Sequence, residues 1–417
     1  CEGLHVLTKP LSEFLCPNIR AISFSNNTGA GCGSLASWLL RLAEGVCPLL
    51  SVLELNACGL TMLEMDALSM YIGCPFADSM TVLDIGNNPE IAEGIPQLFQ
   101  ELYRSTNQSF TSLNFEGLNL TSSLLTELCE WIKGKKASHL RKLILRVNVI
   151  SESGLCKLLA ALQQSSIPKL TLLDISSNLI GSFQSAWKDL FSLPFRQTSL
   201  SIEECDISHN PITDQDMYLM MRFFRRYVDM SRLMRFSMED MKLSAEGVSY
   251  LFSSFPFEFV CQLHRLNIVS IPITGVGQSL HAWLSSPAAG SLRRLILVNC
   301  SLDSDDLLLL NNAFMTSSYC QGLQCLRLSG NRHVDDLFVT DFLTVYKMDG
   351  VLPLLCELDL SYTEITKSGA SAFLDFFTET SDYTLRILNL AYVQIPENRI
   401  ETVHNEFRRI FRGHCLM

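Results

Sequence analysis

The stretch Leu140-Arg-Lys-Leu-Ile-Leu-Arg-Val-Asn-Val-Ile150 contains the pattern from which the fold of this chain is predicted. Apolar residues stand at Leu140, Leu143 and Leu145, and Asn148 and Ile150 follow. The same apolar triplet occurs thirteen times at spacings of 29 to 32 residues. Its middle positions are Ile22, Leu53, Leu83, Leu113, Leu143, Leu173, Cys205, Phe236, Leu266, Leu295, Leu326, Leu358 and Leu388.

All three positions of the triplet are apolar in every copy, although only 47% of the chain is hydrophobic. Such agreement with one template is not a chance arrangement. A fixed period near thirty residues indicates supersecondary units that bury their apolar faces only against neighbouring units.

Two further positions recur with the triplet. Five residues after its middle position stand Asn27, Asn88, Asn148, Asn178, Asn210 and Asn331, or Cys58 and Cys300. An Asn there is predicted to bond the backbone of adjacent turns. Eleven residues after the middle position stand Gly33, Gly94, Gly154, Gly247, Gly277 and Gly369. Each precedes apolar residues at helical spacing, so glycine is expected to let a helix start close to the strand layer.

A strand, a loop and a helix in each period of thirty residues resemble leucine-rich repeats. The form with a helix in every repeat resembles the ribonuclease-inhibitor-like class over essentially the whole chain. This resemblance implies an α/β leucine-rich-repeat solenoid of about 13 repeats, a horseshoe with a parallel sheet on the concave face and helices on the convex face. Two families of this class are plausible relatives, the CARMIL-type actin-regulatory scaffolds and the NOD-like receptors. No functional residue is transferred from either family, because the shared residues are structural.

The whole chain, residues 1–417, is predicted to form a single leucine-rich-repeat domain, since no Pro/Gly/Ser-rich linker interrupts the period. Residues 1–18 are predicted to be the helix of a truncated preceding repeat, 19–396 the thirteen repeats, and 397–417 the last helix and tail. We therefore expect the chain to be a fragment of a longer protein.

Charge and cysteine usage limit the class of function. The net charge of −11 argues against a nucleic-acid binder, which needs Lys and Arg to neutralise phosphates. No apolar run approaches the length of a transmembrane helix, so membrane insertion is not expected. The 15 cysteines fall mostly on structural positions of the repeat and form no C-x-x-C pair, which favours free thiols and a cytoplasmic location.

No motif for catalysis stands out. The Gly-rich turn 27–34 lacks the third glycine of a dinucleotide fingerprint. Asp303, Asp305 and Asp306 lack the calcium-loop glycine and are better explained as acids that open a helix. The eight histidines show no ligand spacing. We predict no enzyme activity, no cofactor, no metal and no small-molecule substrate.

Basic residues give the candidate binding sites. Arg222, Arg225 and Arg226 share one face of a predicted helix, and a solvated face is the simpler explanation. Arg235, Arg265 and Arg294 precede the middle apolar residue in three successive repeats, with Arg327 nearby in the next.

Parallel strands about 4.8 Å apart would stack these three charges in one column, at a cost in stability unless acids or a ligand intervene. Asp206 and Glu239 are the predicted intramolecular acids. Elsewhere the same face is predicted to be acidic, through Glu54, Asp84, Glu116, Asp174, Glu204 and Asp359.

These patterns predict an intracellular interaction module or scaffold that binds another protein on its concave face, with Arg235, Arg265, Arg294, Arg327, Asp206 and Glu239 as candidate contact residues. An actin-regulatory role of the CARMIL type is favoured, because the strict 28/29 alternation of ribonuclease inhibitor and many NOD-like receptors is absent. The alternative is the ligand-sensing or autoinhibitory repeat domain of a NOD-like immune receptor.

Overall fold

The computed structural model describes residues 16, 18–30, 33–164, 170–181, 186–187, 190–191, 200–258, 260–380 and 382–417. The chain forms two compact units, Cys1–Asn210 and Pro211–Met417. Each unit repeats one order, a short strand followed by a loop and a helix, and its strands pair in parallel with their neighbours in chain order. The predicted α/β leucine-rich-repeat solenoid is therefore confirmed.

The described strands of the first unit are three residues long. They are β1 (Ala21–Ser23), β2 (Val52–Glu54), β3 (Val82–Asp84), β4 (Ser112–Asn114), β5 (Lys142–Ile144), β6 (Leu172–Asp174) and β7 (Glu204–Asp206). The described helices are α1 (Ser34–Ala43), α2 (Met62–Ile72), α3 (Ile95–Arg104), α4 (Thr126–Lys133) and α5 (Glu152–Gln164). Short 3₁₀ segments lie at Pro75–Ala77, Pro89–Gly94 and Lys135–Ala137.

The second unit begins with longer strands. Its strands are β8 (Arg235–Glu239), β9 (Arg265–Val269), β10 (Arg294–Val298), β11 (Cys325–Arg327), β12 (Glu357–Asp359), β13 (Ile387–Asn389) and β14 (His414–Leu416). Its helices are α6 (Asp214–Tyr227), α7 (Ala245–Phe252), α8 (Gly277–Leu284), α9 (Ser304–Thr316), α10 (Asp336–Tyr346), α11 (Lys367–Glu379) and α12 (Glu397–Ile410). Its 3₁₀ segments are Met230–Arg232, Pro287–Ala289 and Ser318–Gly322.

The apolar triplet forms the core of each unit. From the second repeat onward all three of its positions are buried, as the repeat pattern predicts. Helix side chains cover them: the rings of Phe24 and Trp38 lie 5.3 Å apart, and those of Phe99 and Phe115 lie 5.1 Å apart. The core therefore lies between the strands and the helices, and the opposite face of the strands is exposed.

Asn148 shows how the recurrent asparagine works. Its amide nitrogen donates to the carbonyl oxygens of Phe115 and Leu145, each at 2.9 Å, and its amide oxygen accepts from the backbone N–H of Leu118 and Leu120 at 3.1 and 2.9 Å. Asn88, Asn178, Asn210 and Asn331 make equivalent bonds to the preceding repeat. The predicted role, satisfying the backbone of adjacent turns, is confirmed at these positions.

Two of the recurrent glycines, Gly277 and Gly369, lie close to an aspartate of a neighbouring repeat, and not only to the strand layer as expected. Gly277 donates its N–H to Asp306 of the next repeat at 2.6 Å, and a Cβ on Gly277 would lie 2.9 Å from the Asp306 Cα. Gly369 donates to Asp336 of the preceding repeat at 2.9 Å. At Gly277 and Gly369, glycine is needed because the aspartate of a neighbouring repeat approaches the start of the helix, and the pattern within one repeat does not reveal this contact.

A left-handed residue follows every strand of the repeat array, four positions after the middle apolar residue. The residues with positive φ at this position are Asn26, Ala57, Asn87, Gly117, Val147, Ser177, His209, Asp240, Ser270, Asn299, Gly330, Tyr362 and Tyr392. At Val147 the N–H donates to Ser176 of the next repeat at 3.0 Å. The turn therefore extends the ladder of backbone hydrogen bonds beyond the strand while it redirects the chain.

Of the two predicted end segments, only the C-terminal one, residues 397–417, is described throughout. Residues 1–15, where the helix of a preceding repeat is predicted, lie outside the described residues. In the predicted last helix and tail, α12 is followed by β14, which pairs with β13. The single-domain assignment stays a prediction.

Candidate partner-binding surface

Three arginines on the exposed face of the second unit stand in register. Arg235 pairs with Arg265, and Arg265 pairs with Arg294, in the parallel ladder of β8, β9 and β10. The residue that follows each arginine points into the core, so the arginines point outward. The structure therefore brings together the column that the sequence predicts.

Arg265, at the centre of the column, has no carboxylate partner among the described residues. Its Nε donates to the Asn267 Oδ1 at 2.9 Å, and the Asn267 amide donates in turn to the Ser237 Oγ at 3.2 Å. Partial burial and the positive charges of Arg294, Arg327 and Arg235 lower the pKa of Arg265. The protein itself thus leaves positive potential on this residue uncompensated.

Glu357 of β12 is the acid that meets the arginines. It accepts from the Arg327 Nε and Nη2 at 2.8 and 2.5 Å and from the Arg294 Nη2 at 3.2 Å. Burial alone would raise the pKa of Glu357, but the hydrogen bonds and charges of Arg327 and Arg294 outweigh burial and hold the pKa below its ordinary value. Glu357 is not among the residues predicted from the sequence, although it occupies the column position of the arginines two repeats after Arg294.

The other three candidate residues lie on β11, β8 and β7. Arg327 follows the buried Leu326 and pairs with Ile296 and Asp359, so it stands beside the column rather than in it. Glu239 ends β8 on the same face. Asp206 belongs to the first unit, at the end of β7.

Aspartates at the strand ends have a structural use. The Oδ1 atoms of Asp84, Asp174, Asp206 and Asp359 each accept the backbone N–H two residues later at 3.0 to 3.1 Å. Burial raises the pKa of Asp174, and the charge of Asp206 acts in the same direction. These acids close the turn after the strand, so their recurrence reflects turn geometry.

A separate ion pair lies on the face of the first unit. The Arg146 Nη2 lies 2.7 Å from the Glu116 Oε1, and this hydrogen bond raises the pKa of Arg146. Because Glu116 is mostly buried, the pair is fixed in place. The charge of Arg146 is thus compensated within the first unit.

The remaining sequence candidates have structural explanations. Asp303 is the N-cap of α9, and Asp306 completes a capping box with it, as predicted for acids that open a helix. In the Gly-rich turn Gly33 donates to the Glu64 Oε1 at 2.7 Å, while Gly31 and Cys32 lie outside the described residues. Arg222, Arg225 and Arg226 are exposed on α6.

Arg225 of this helix also lines a cavity of about 550 Å³ with Phe255 and Val260. Among the described residues no three His, Cys, Asp or Glu side chains form a metal-binding group. No helix in the described ranges is long and apolar enough to cross a membrane. Each cysteine that the structure describes is a free thiol, as its position in the repeat predicts.

A pair of exposed aromatic residues was also not predicted from the sequence. Tyr362 and Tyr392 occupy the left-handed position in successive repeats, and their rings stack with centroids 4.4 Å apart. They are 60% and 72% exposed. The periodic spacing of thirty residues is the signal that would have aligned them.

Comparison with known proteins gives similarity at the level of the repeat. A family model described as a leucine-rich repeat matches residues 352–374, which include β12 and the first part of α11. The Tonsoku-like protein of Mus musculus is 27% identical over 204 residues, which are 48% of this chain and 14% of that protein. The chain therefore spans a small part of the length of that relative.

Solved structures resemble the chain over most of its length at low identity. An internalin from Listeria monocytogenes is 15% identical with a TM-score of 0.46, covering 98% of this chain and 88% of that one. The yeast Rad7 and Elc1 complex gives 14% identity and a TM-score of 0.48, covering 95% and 85%. Both units have the repeat geometry of a leucine-rich-repeat solenoid, and the family match covers one repeat of it, residues 352–374.

Proposed function

We propose that this chain is a protein-interaction module that binds a negatively charged segment of a partner protein on the exposed face of β8 to β11. The observation that carries the proposal is the arginine column, Arg235, Arg265 and Arg294, whose central member has a lowered pKa and no carboxylate partner among the described residues.

Like charges in register destabilise a sheet by a few tenths of a kcal/mol to about 1 kcal/mol per pair. An anionic partner would offset this cost on binding, and would be selected over neutral segments. The chain as a whole carries a net charge of −11, so the positive potential is local and directs an acidic segment to this face.

A repeat solenoid suits this role because its parallel strands present equivalent positions at regular intervals. An extended segment laid across β8, β9 and β10 would meet one arginine every 4.8 Å or so. Glu239 stays a predicted member of the surface, and it would select for a basic residue beside the acidic ones. Asp206, in the first unit, stays a predicted contact residue apart from this surface.

The test uses a randomised peptide library displayed on phage and selected on the purified wild-type chain. We expect the selected peptides to be enriched in Asp and Glu. Binding should weaken at least about tenfold when Arg265 and Arg294 are changed to Gln, because each lost charged contact contributes roughly 1 kcal/mol or more.

The matched control changes the exposed Arg222 and Arg225 of α6 to Gln, which removes equal charge elsewhere in the same unit. This variant should bind the selected peptides as the wild type does. Peptides without acidic enrichment, or equal loss in both double variants, would refute the proposal. Circular dichroism of each variant separates loss of binding from loss of fold.

We further propose that this chain is an intracellular scaffold of the CARMIL type with an actin-regulatory role. This proposal rests on the resemblance of the repeat pattern to that family. Support comes from the uniform period near thirty residues. The repeat domain of a NOD-like receptor is the alternative. A nucleotide-binding P-loop domain in the same reading frame would favour the receptor, and a lipid-binding domain with a Pro-rich tail would favour the scaffold.

A further inference from the structure

Arg265 is an oriented donor. Its Nε is held by Asn267, which is itself held by Ser237. This chain of bonds fixes the guanidinium plane, and the described residues give its two terminal nitrogens no partner. A fixed, exposed guanidinium with free terminal nitrogens is suited to bidentate recognition of an oxyanion.

Arg294, the neighbour of Arg265 in register, is only partly compensated. Its Nη2 shares Glu357 with Arg327, and its Nε is buried without a hydrogen-bond partner among the described atoms. One carboxylate therefore serves two guanidinium groups. The side chains of Arg294 and Arg327 remain 38% and 40% exposed, so a ligand can reach them.

The charge balance favours a ligand with more than one negative charge. A carboxylate carries one charge and two acceptor oxygens, whereas a phosphate monoester carries close to two charges and three acceptor oxygens at neutral pH. Two adjacent guanidinium groups, about 4.8 Å apart at the backbone, match the phosphate monoester better than the carboxylate.

We propose that Arg265 and Arg294 form a binding site for a phosphorylated serine or threonine in an extended segment of the partner protein. Glu357 competes with the phosphate for Arg294 and so weakens binding. This inference rests on the proposed function, because it names the chemistry of the acidic segment that the same face binds.

The surroundings favour a single phosphate group over a polyanion. On the same face Glu239 ends β8, and Glu357 and Asp359 occupy β12. A nucleic acid or an anionic bilayer would bring further phosphates against these carboxylates, which would repel them. A phosphorylated protein segment carries one such group with neutral or basic neighbours.

The experiment compares peptides that differ at one position. A peptide library with a central phosphoserine is selected on the wild-type chain, and the best sequence is then made with Ser, Glu or phosphoserine at that position. Fluorescence polarisation should show the phosphopeptide binding about tenfold tighter than the Glu peptide, because the dianion makes more charge-assisted hydrogen bonds.

Three variants and one matched control test the roles of the residues. Arg265→Gln and Arg294→Gln should each weaken phosphopeptide binding about tenfold, while Arg222→Gln, the matched control on α6, should leave it unchanged. Glu357→Gln should tighten binding about threefold, because it frees Arg294 from its competitor. Loss of fold does not produce a gain of affinity, so this last variant is informative even if the others are unstable.

Equal affinity for the Glu peptide and the phosphopeptide, both dependent on Arg265, would overturn this inference and leave the proposed function standing. Failure of every acidic peptide to bind would overturn both. Weaker binding by the Glu357→Gln variant would overturn the competition between Glu357 and phosphate.

Discussion

Val147 occupies the left-handed position of its repeat with a φ of 56°. A β-branched side chain is strained there, because its Cβ crowds the carbonyl oxygen that follows. The strain persists because the Val147 N–H must donate to Ser176 to continue the ladder between repeats. Other repeats place Asn or Gly at this position, which tolerate the conformation.

Replacing Val147 by Asn should therefore stabilise the protein by about 0.5 to 1 kcal/mol, since Asn relieves part of the left-handed strain. Val147 is 49% exposed, so little apolar burial is lost. Thermal unfolding of the variant measures the effect. The control Val149→Asn, two residues later and outside the positive-φ set, should give no gain; a gain at both positions would assign the effect to surface polarity instead.

Helix starts are held by acids from the same repeat and from its neighbours. Asp306 lies in the first turn of α9 and is buried, and it accepts the N–H groups of Gly275 and Gly277 at 2.9 and 2.6 Å as well as that of Asp303 at 3.2 Å. One carboxylate thus bonds the start of its own helix and of α8. Asp336 links α10 to α11 in the same way.

Asp306→Ala should destabilise the protein by about 2 to 4 kcal/mol, because several N–H groups at two helix starts lose their acceptor. Asp305 lies in the same first turn but is exposed, so Asp305→Ala should cost no more than about 0.5 kcal/mol. Urea unfolding followed by circular dichroism compares the two variants. Equal losses would show that only the helix dipole, and not the bonds to α8, contributes.

In both units, recurrent asparagines join their own repeat to the preceding one by hydrogen bonds. Asn148 connects the loop after β5 to the loop after β4, and Asn331 does the same after β11 and β10. The stability of such a solenoid is approximately a sum of terms within repeats and between nearest neighbours. A substitution of one of these asparagines should therefore destabilise only its own repeat and the neighbouring repeats.

Asn148→Ala should lower the free energy of local opening near β4 and β5 by about 3 to 5 kcal/mol, because it leaves several buried backbone groups without partners. Hydrogen exchange should accelerate there and stay unchanged at β10 and β11. Asn331→Ala is the reciprocal control and should give the reverse pattern. Uniform acceleration across both units in either variant would contradict this nearest-neighbour description.

The fold, the strand positions, the buried residues and the arginine column follow from the amino-acid sequence alone. These features could be predicted because each repeat encodes its own strand, loop and helix, and alignment of the repeats places equivalent residues in register. The column of Arg235, Arg265 and Arg294 needed nothing beyond the period.

Which charged side chains pair is visible only in the folded protein. Arg294 pairs with Glu357, 63 residues and two strands away, while Asp206 accepts a backbone N–H in its own turn. The tertiary structure also shows that Gly277 makes room for Asp306. These contacts depend on the length and direction of each side chain and on the distance between neighbouring repeats. The pattern within one repeat contains none of this information, because the contacts of Arg294 and Gly277 join different repeats.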